Sequence, residues 1–260
     1  VEDLTNLFTP LREVKYKGKP KVGAHVNWNA PQSKDQPAWE ILLGILSACY
    51  WSSVNGPIDL YTDPIGLKKV ENLGLKGLYR NIHLLDEDLA AGFDPKMFWA
   101  AGKFLAMLES EEPTYFIDQD LLITKELGTI EKDVLYFHRE YLNDQWYPLP
   151  VVRQIQTYYD TTWADALAYN CAFIHFRDVS RAREYAAESL RFINQHGQNF
   201  KMYHPREVMA SVEQFGLQQY CISHDLDADC LIKAIYTGDA KADTWMPDPD
   251  GVYDIEEAGT

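Results

Sequence analysis

Asp118-Gln119-Asp120 is the stretch whose residue types and spacing most directly suggest chemistry. It follows Tyr115-Phe116-Ile117 and precedes Leu121-Leu122-Ile123, so two carboxylates stand at the end of what reads as a buried strand. Carboxylate oxygens in that position can hold a divalent cation and link it to a diphosphate. A solvated turn is the competing reading. The chain holds five D-x-D triplets, at 86/88, 118/120, 225/227, 227/229 and 248/250, and only the one at 118 has this apolar setting. Other motif classes fail: Asp225-x-Asp227-x-Asp229 begins like a calcium loop but carries Cys230 at position six and Tyr236 at position twelve. Phosphate-loop, dinucleotide, zinc-protease and nucleophile-elbow signatures are absent from the sequence, and His25, His83, His138, His175, His196 and His204 lack ligand spacing.

The elements that must position these carboxylates follow from periodicity. Lys21 to Trp28 reads as a strand ending in a polar loop. From Pro37 to about Ser53 the positions Trp39, Leu42, Leu43, Leu46 and Tyr50 recur at helical spacing. Ile58 to Thr62 is a second strand, Asp63-Pro64 opens a helix reaching Leu73-Gly74, and Asn81 to Leu85 is a third strand. A helix from Pro95 through Leu108 and a strand over Thr114–Ile117 complete the first 120 residues. Four rounds of strand and helix predict a mostly parallel α/β sheet with right-handed crossovers and ligands at the carboxyl ends of the strands. Trp28, Asp63, Asp86 and Asp118 fall at or near such ends.

The second half is less regular. Asp133 to Phe137 reads as a strand, Tyr141 to Asp160 as an aromatic, proline-containing loop region, and Ala168 to Phe176 as one buried strand. Helices are expected over Val179 to about Gln195 and Pro205 to Gln219, with a short strand near Tyr220-Cys221-Ile222. Residues 1–246 are expected to form one domain, about 21–125 as its first half and 126–246 as its second, followed by an acidic tail over 247–260.

Residues 56–125 resemble the nucleotide-binding half of GT-A-fold glycosyltransferases, especially the retaining group with the galactosyltransferase and glycogenin-type layout. The stretches that carry the likeness are Leu60-Tyr61-Thr62-Asp63, Phe98-Trp99-Ala100-Ala101-Gly102-Lys103 and Tyr115-Phe116-Ile117-Asp118-Gln119-Asp120. Tyr169-Asn170-Cys171-Ala172 and Glu213-Gln214 extend the pattern over roughly residues 21–245. The resemblance implies a Rossmann-like GT-A fold and transfer of a sugar from a nucleotide diphosphate donor, a UDP-sugar first among them, with Mn²⁺ or Mg²⁺ held by Asp118 and Asp120. It assigns Asn170 and Gln214 to the sugar or the reacting carbon, with Glu213 as a possible nucleophile or base, and only one of Glu213 and Gln214 is expected to face the site. Trp28, Asp63, Lys103 and Lys241 are the implied donor-binding residues. For Lys103 an internal ion pair with a strand-end carboxylate is an equal alternative. For Asn170 the alternative is a cap at a strand end and for Gln214 a solvated helix position; Trp28 and Tyr61 are candidates to stack on the base, with plain core packing favoured for Tyr61.

One departure stands out. Where the family closes with a ligand histidine, this chain has Tyr236, in Tyr236-Thr237-Gly238-Asp239-Ala240-Lys241. A neutral phenol is a poor ligand for such a metal, so either His224 or Asp225 substitutes or the metal is held more loosely.

Composition sets the outer limits. With 39 Asp+Glu against 24 Lys+Arg, a formal charge of -15 and no basic run, the chain is not a general nucleic-acid or anionic-membrane binder. Residues 225–260 carry ten acidic residues against Lys233 and Lys241, so about half of the excess belongs to this C-terminal stretch. No apolar run of about 18 residues suggests a transmembrane helix, and Val1-Glu2-Asp3-Leu4 does not open a signal peptide, from which a cytoplasmic location is expected. Cys49, Cys171, Cys221 and Cys230 are scattered and read as reduced thiols. Aromatic residues, 16 Tyr and 7 Trp among them, suit a site for flat or sugar-like ligands. The rival readings are a glycoside hydrolase with paired carboxylates and a non-catalytic nucleotide or carbohydrate binder. The acceptor stays open among a glycan, a lipid-linked sugar, a protein and a modified nucleic-acid base, the acidic surface weighing against DNA.

Overall fold

The strand and helix alternation of the first 120 residues builds one side of a seven-stranded sheet. The computed structural model describes residues 19–28, 37–90, 92–143, 145–162, 167–232, 234–236 and 245–247. Strands β1 (Gly23–Asn27), β2 (Ile58–Thr62), β3 (Ile82–Leu84) and β4 (Tyr115–Ile117) run parallel, joined through α1 (Ala38–Val54), α2 (Pro64–Asn72) and α3 (Ala101–Glu109). The second half adds β5 (Val134–Tyr136), β8 (Phe173–Phe176) and β9 (Ala228–Cys230). The order is β3-β2-β1-β4-β8-β5-β9, and only β8 runs against the other six strands. The chain winds outward from β1 to β2 and β3, then returns to the other side of β1 at β4. The point where the order reverses therefore lies between the carboxyl ends of β1 and β4, where open α/β sheets receive ligands.

A second sheet, absent from the sequence expectation, has the order β11-β10-β6-β7 and uses β6 (Arg139–Tyr141), β7 (Leu167–Tyr169), β10 (Ala234–Tyr236) and β11 (Trp245–Pro247). The single strand expected over Ala168–Phe176 is thus two strands in two sheets. Asn170 makes the break: its Oδ1 accepts from Ala172 N at 2.9 Å, turning the chain between β7 and β8. Within the expected loop region, α4 (Leu149–Tyr159) buries Val151, Val152, Ile155 and Tyr159. Its prolines sit at the cap and in the first turn, where a missing N–H costs no helix bond. The helix expected from Pro95 is a run of turns until Ala101, and the strand expected near Tyr220 is helix α7 (Gly216–Ser223). Between α6 (Pro205–Ala210) and α7, residues Ser211–Phe215 form a π-helical turn that keeps the two continuous.

Apolar layers cover both faces of the large sheet. One holds Phe104 of α3, Phe116, Tyr136, Phe176, Tyr185 of α5 (Val179–His196), Phe215 and Tyr220. The other holds Ala48 and Trp51 of α1 with Tyr115, Ile117, Leu135 and Phe173. In α1 the apolar stripe read from the sequence is not the buried face: Trp39, Leu42 and Tyr50 are 60%, 55% and 42% exposed. The buried positions are Gly44, Ser47, Ala48 and Trp51, of which the first three are small residues that let the helix lie close to the sheet. No helix among the described residues is long and apolar enough to cross a membrane.

Candidate active site

β4 delivers Asp118 at the reversal point, and the antiparallel β8 fixes what stands beside it. The Asp118 N–H donates to Ala172 O at 2.8 Å, so the turn leading into β8 lies directly against the D-x-D stretch. On the other side β1 ends at Asn27-Trp28. Trp28 is buried against Phe93, edge to face at 6.4 Å, and can approach α3 because residue 102 is glycine. A Cβ on Gly102 would stand 2.7 Å from Trp28 Cβ, inside any real carbon–carbon contact.

The next residue, Lys103, is the charged centre of the site. Every residue of α3 from Ala101 to Met107 is buried, so a lysine here must find its partners inside the protein. Its ammonium donates to Cys171 O at 2.6 Å and lies 2.7 Å from Glu213 Oε1 and 2.9 Å from Asp118 Oδ1. Burial opposes the lysine's charge, but Asp118 and Glu213 outweigh it and hold its pKa above the ordinary value. Glu213 is also buried, and burial lifts its pKa, with Lys103 opposing and Asp118 adding to the rise. The π-turn brings Glu213 there, and its carbonyl accepts from Tyr185 OH at 2.7 Å. π-Turns recur at functional sites because the extra residue re-aims one side chain without breaking the helix.

Asp118, Asp120, Lys103 and Glu213 open on a cavity of about 290 Å³, walled also by Trp28, Trp39 and Trp99. Asp120 is exposed at the rim of the cavity, and its pKa is raised first by partial desolvation and then by the neighbouring charge of Asp118. Two carboxylates on the lining of one cavity are a hard-oxygen donor pair that a divalent cation would relieve.

Of the sequence-named residues, the cavity brings together Trp28, Lys103, Asp118, Asp120 and Glu213. Gln214, the neighbour of Glu213, points elsewhere and accepts from Tyr147 OH. The same hydroxyl lies 2.7 Å from Glu140 Oε2, so its one hydrogen is shared between the two oxygens, and Asn170 Nδ2 donates to Glu140 Oε1 at 2.5 Å. Asn170 and Gln214 therefore meet through Glu140 and Tyr147, in a polar chain adjacent in sequence to Cys171, whose carbonyl accepts from Lys103. Asp63 is buried and caps α2, accepting from Gly66 N at 2.7 Å, and Tyr61 is core, stacked on His83 at 4.5 Å. His224 ends α7, bonded to Tyr220 and Ser223, and does not line the cavity. Tyr236 lies on β10 in the second sheet, its ring 6.5 Å from that of His138. Lys241 and the tail over 248–260 lie outside the described residues.

Sequence reasoning did not single out Trp39, Trp99, Glu140 or Tyr147 as site residues. Trp99 stood beside the Gly102-Lys103 stretch, and an indole flanking a helix start was the available signal. Glu140 and Tyr147 depend on the second sheet and α4, neither of which has a sequence pattern.

No protein-family model and no curated protein matches the sequence. Among solved structures, the chain is similar to the mannosyltransferase Ktr4p of S. cerevisiae, with 9% identity and a TM-score of 0.45, over 79% of this chain and 66% of that one. The chain thus spans just under two thirds of the length of Ktr4p. It is also similar to core-mannan synthase A of Aspergillus fumigatus in its Mn/GDP form, with 8% identity, a TM-score of 0.47 and coverage of 82% and 73%. A third is mouse xyloside xylosyltransferase 1 in its apo form, with 9% identity, a TM-score of 0.32 and coverage of 80% and 77%.

Proposed function

We propose that this protein is a glycosyltransferase that takes a sugar from a nucleotide diphosphate donor, with a divalent metal held by Asp118 and Asp120. The observation that carries the reading is the cavity at the β1/β4 reversal point, where two strand-end carboxylates, a buried Lys–Glu pair and three tryptophans converge.

The carboxylates cannot receive an anionic diphosphate unaided. A bound Mn²⁺ or Mg²⁺ would supply the positive charge that steadies the diphosphate as it leaves. Everything else is work for the chain's own residues. Lys103 keeps Asp118 and Glu213 in fixed positions, so that the carboxylates are oriented before the donor arrives. The tryptophans give flat apolar walls for a sugar or a base and exclude water from part of the cavity. Glu213 is buried on the cavity lining, where its ion pair with Lys103 supports the carboxylate that would meet an electron-poor sugar carbon. The Asn170–Glu140–Tyr147–Gln214 chain is a second set of donors and acceptors for hydroxyl groups beside it.

The test is turnover of a panel of UDP- and GDP-sugars, with and without Mn²⁺, by the protein and by its Asp118→Asn and Asp120→Asn variants. The expected result is metal-dependent release of nucleoside diphosphate that falls at least a hundredfold in either variant, roughly the scale of losing one preorganised electrostatic group. Unchanged turnover and unchanged metal dependence in both variants would overturn the reading.

A further inference from the structure

We propose a second metal site outside the cleft, in which Glu184 and Glu188 of α5 and His224 at the end of α7 bind a borderline divalent cation of the Zn²⁺ type.

The two glutamates are one turn apart, so they project from the same face of α5. His224 caps α7 and turns its ring towards them: Nε2 lies 3.9 Å from Glu184 Oε1 and 4.0 Å from Glu188 Oε1. These separations are too long for hydrogen bonds. All three ligand atoms nevertheless lie within 4.8 Å of one another. An ion bonded at about 2.0–2.2 Å to each donor in a tetrahedral arrangement seats them roughly 3.4 Å apart, a contraction that small side-chain rotations supply.

The outer partners make this more than a chance cluster. His224 Nδ1 is 3.0 Å from Tyr220 O and 2.9 Å from Ser223 Oγ. A carbonyl only accepts, so Nδ1 carries the hydrogen and, in the neutral ring, Nε2 presents its lone pair to the two carboxylates. Three acceptors then face one another around an open centre, an arrangement that a cation resolves. Glu184 is oriented too: its Oε2 accepts from Arg181 at 2.6 Å and Tyr220 OH at 3.0 Å, which leaves Oε1 to face the histidine. Ligands whose far atoms are pinned in this way are the usual outer layer of a metal site. One imidazole with two carboxylates suits zinc better than calcium or magnesium, which take oxygen donors, and three protein ligands leave a fourth position for water. The ion would tie α5 to α7, the helix continuous with the π-turn that carries Glu213.

The experiment uses the metal itself. In the Asp118→Asn/Asp120→Asn double variant, stripped with chelator, added Zn²⁺ should bind at one equivalent by equilibrium dialysis. It should also raise Tm by roughly 5 °C at a hundredfold excess over its dissociation constant, and Mg²⁺ should do neither. Adding His224→Ala to that background should abolish both effects. No zinc binding in the double variant, or equal binding after His224→Ala, overturns the site, as would the case in which Nε2 merely carries a proton. If the double variant does not fold, zinc stoichiometry of the wild-type protein is compared with that of its His224→Ala and Glu188→Gln variants. One equivalent fewer in each is expected, and equal stoichiometry overturns the proposal.

Discussion

Lys103 holds together the charges of the cleft, since its ammonium is the nearest cation to Asp118 and Glu213 alike. Replacing it by methionine, which keeps the stem and removes the charge, would leave two carboxylates facing each other with Glu213 fully buried. Breaking a buried pair in this way costs about 3–5 kcal/mol, and urea unfolding of Lys103→Met should register it. A change below about 1 kcal/mol would mean that the pair contributes nothing to the fold. At this scale the sequence was half legible. The D-x-D stretch announced itself because acidic residues between apolar runs are rare, and the internal reading of Lys103 is the one its contacts support. Asn170 likewise takes its plain role of turning the chain, while also reaching Glu140. Which of Glu213 and Gln214 faces the cavity could not be read from spacing alone, because a π-turn shifts the register by one residue.

At the scale of the element, α3 and β1 approach through a single missing side chain. Helix propensity alone says that Gly102→Ala should stabilise by about 1 kcal/mol. The close approach to Trp28 Cβ says the opposite, because that carbon is fixed by the backbone of the strand end and cannot swing away. The overpacking should win, costing about 1–3 kcal/mol in urea unfolding and altering the near-ultraviolet dichroism of Trp28. A gain in stability would show that the two elements have room to separate. Elements with strong periodicity and a buried face, such as β1, β2 and α5, were readable. α4 was not, because Pro148 and Pro150 look like loop residues until they are seen at a helix start. The stripe Trp39, Leu42, Leu46 and Tyr50 located α1 but pointed to the wrong face, since Gly44, Ser47 and Ala48 pack closer to the sheet than large residues would allow.

For the whole molecule, the mostly parallel sheet was legible from four rounds of alternation, whereas the second sheet was not, because its described strands are three residues each and come from distant parts of the chain. The sheet also sets a global pH response. His25 and His175 lie inside it, and burial lowers their pKa values to about 3 and about 4. The unfolded chain binds these protons near pH 6.5 and the folded one does not, so stability is full above that pH and is lost as pH falls towards the folded values. By pH 5 the loss should reach about 2 kcal/mol for each histidine, with both imidazoles still neutral by NMR. A flat stability profile from pH 7 to 5, or either ring titrating above pH 5.5, would contradict this burial. The proposed function rests on charge at the same scale: in a strongly acidic chain, the cleft carboxylates are proposed to receive an anionic ligand only with a cation between them. Calorimetric titration of UDP and of GDP, with and without Mn²⁺, against the wild-type protein and the Asp118→Asn/Asp120→Asn variant tests this most directly. The account predicts that at least one nucleotide binds the wild-type protein only with Mn²⁺ and does not bind the variant. Binding that is indifferent to the metal, or undiminished in the variant, would contradict it.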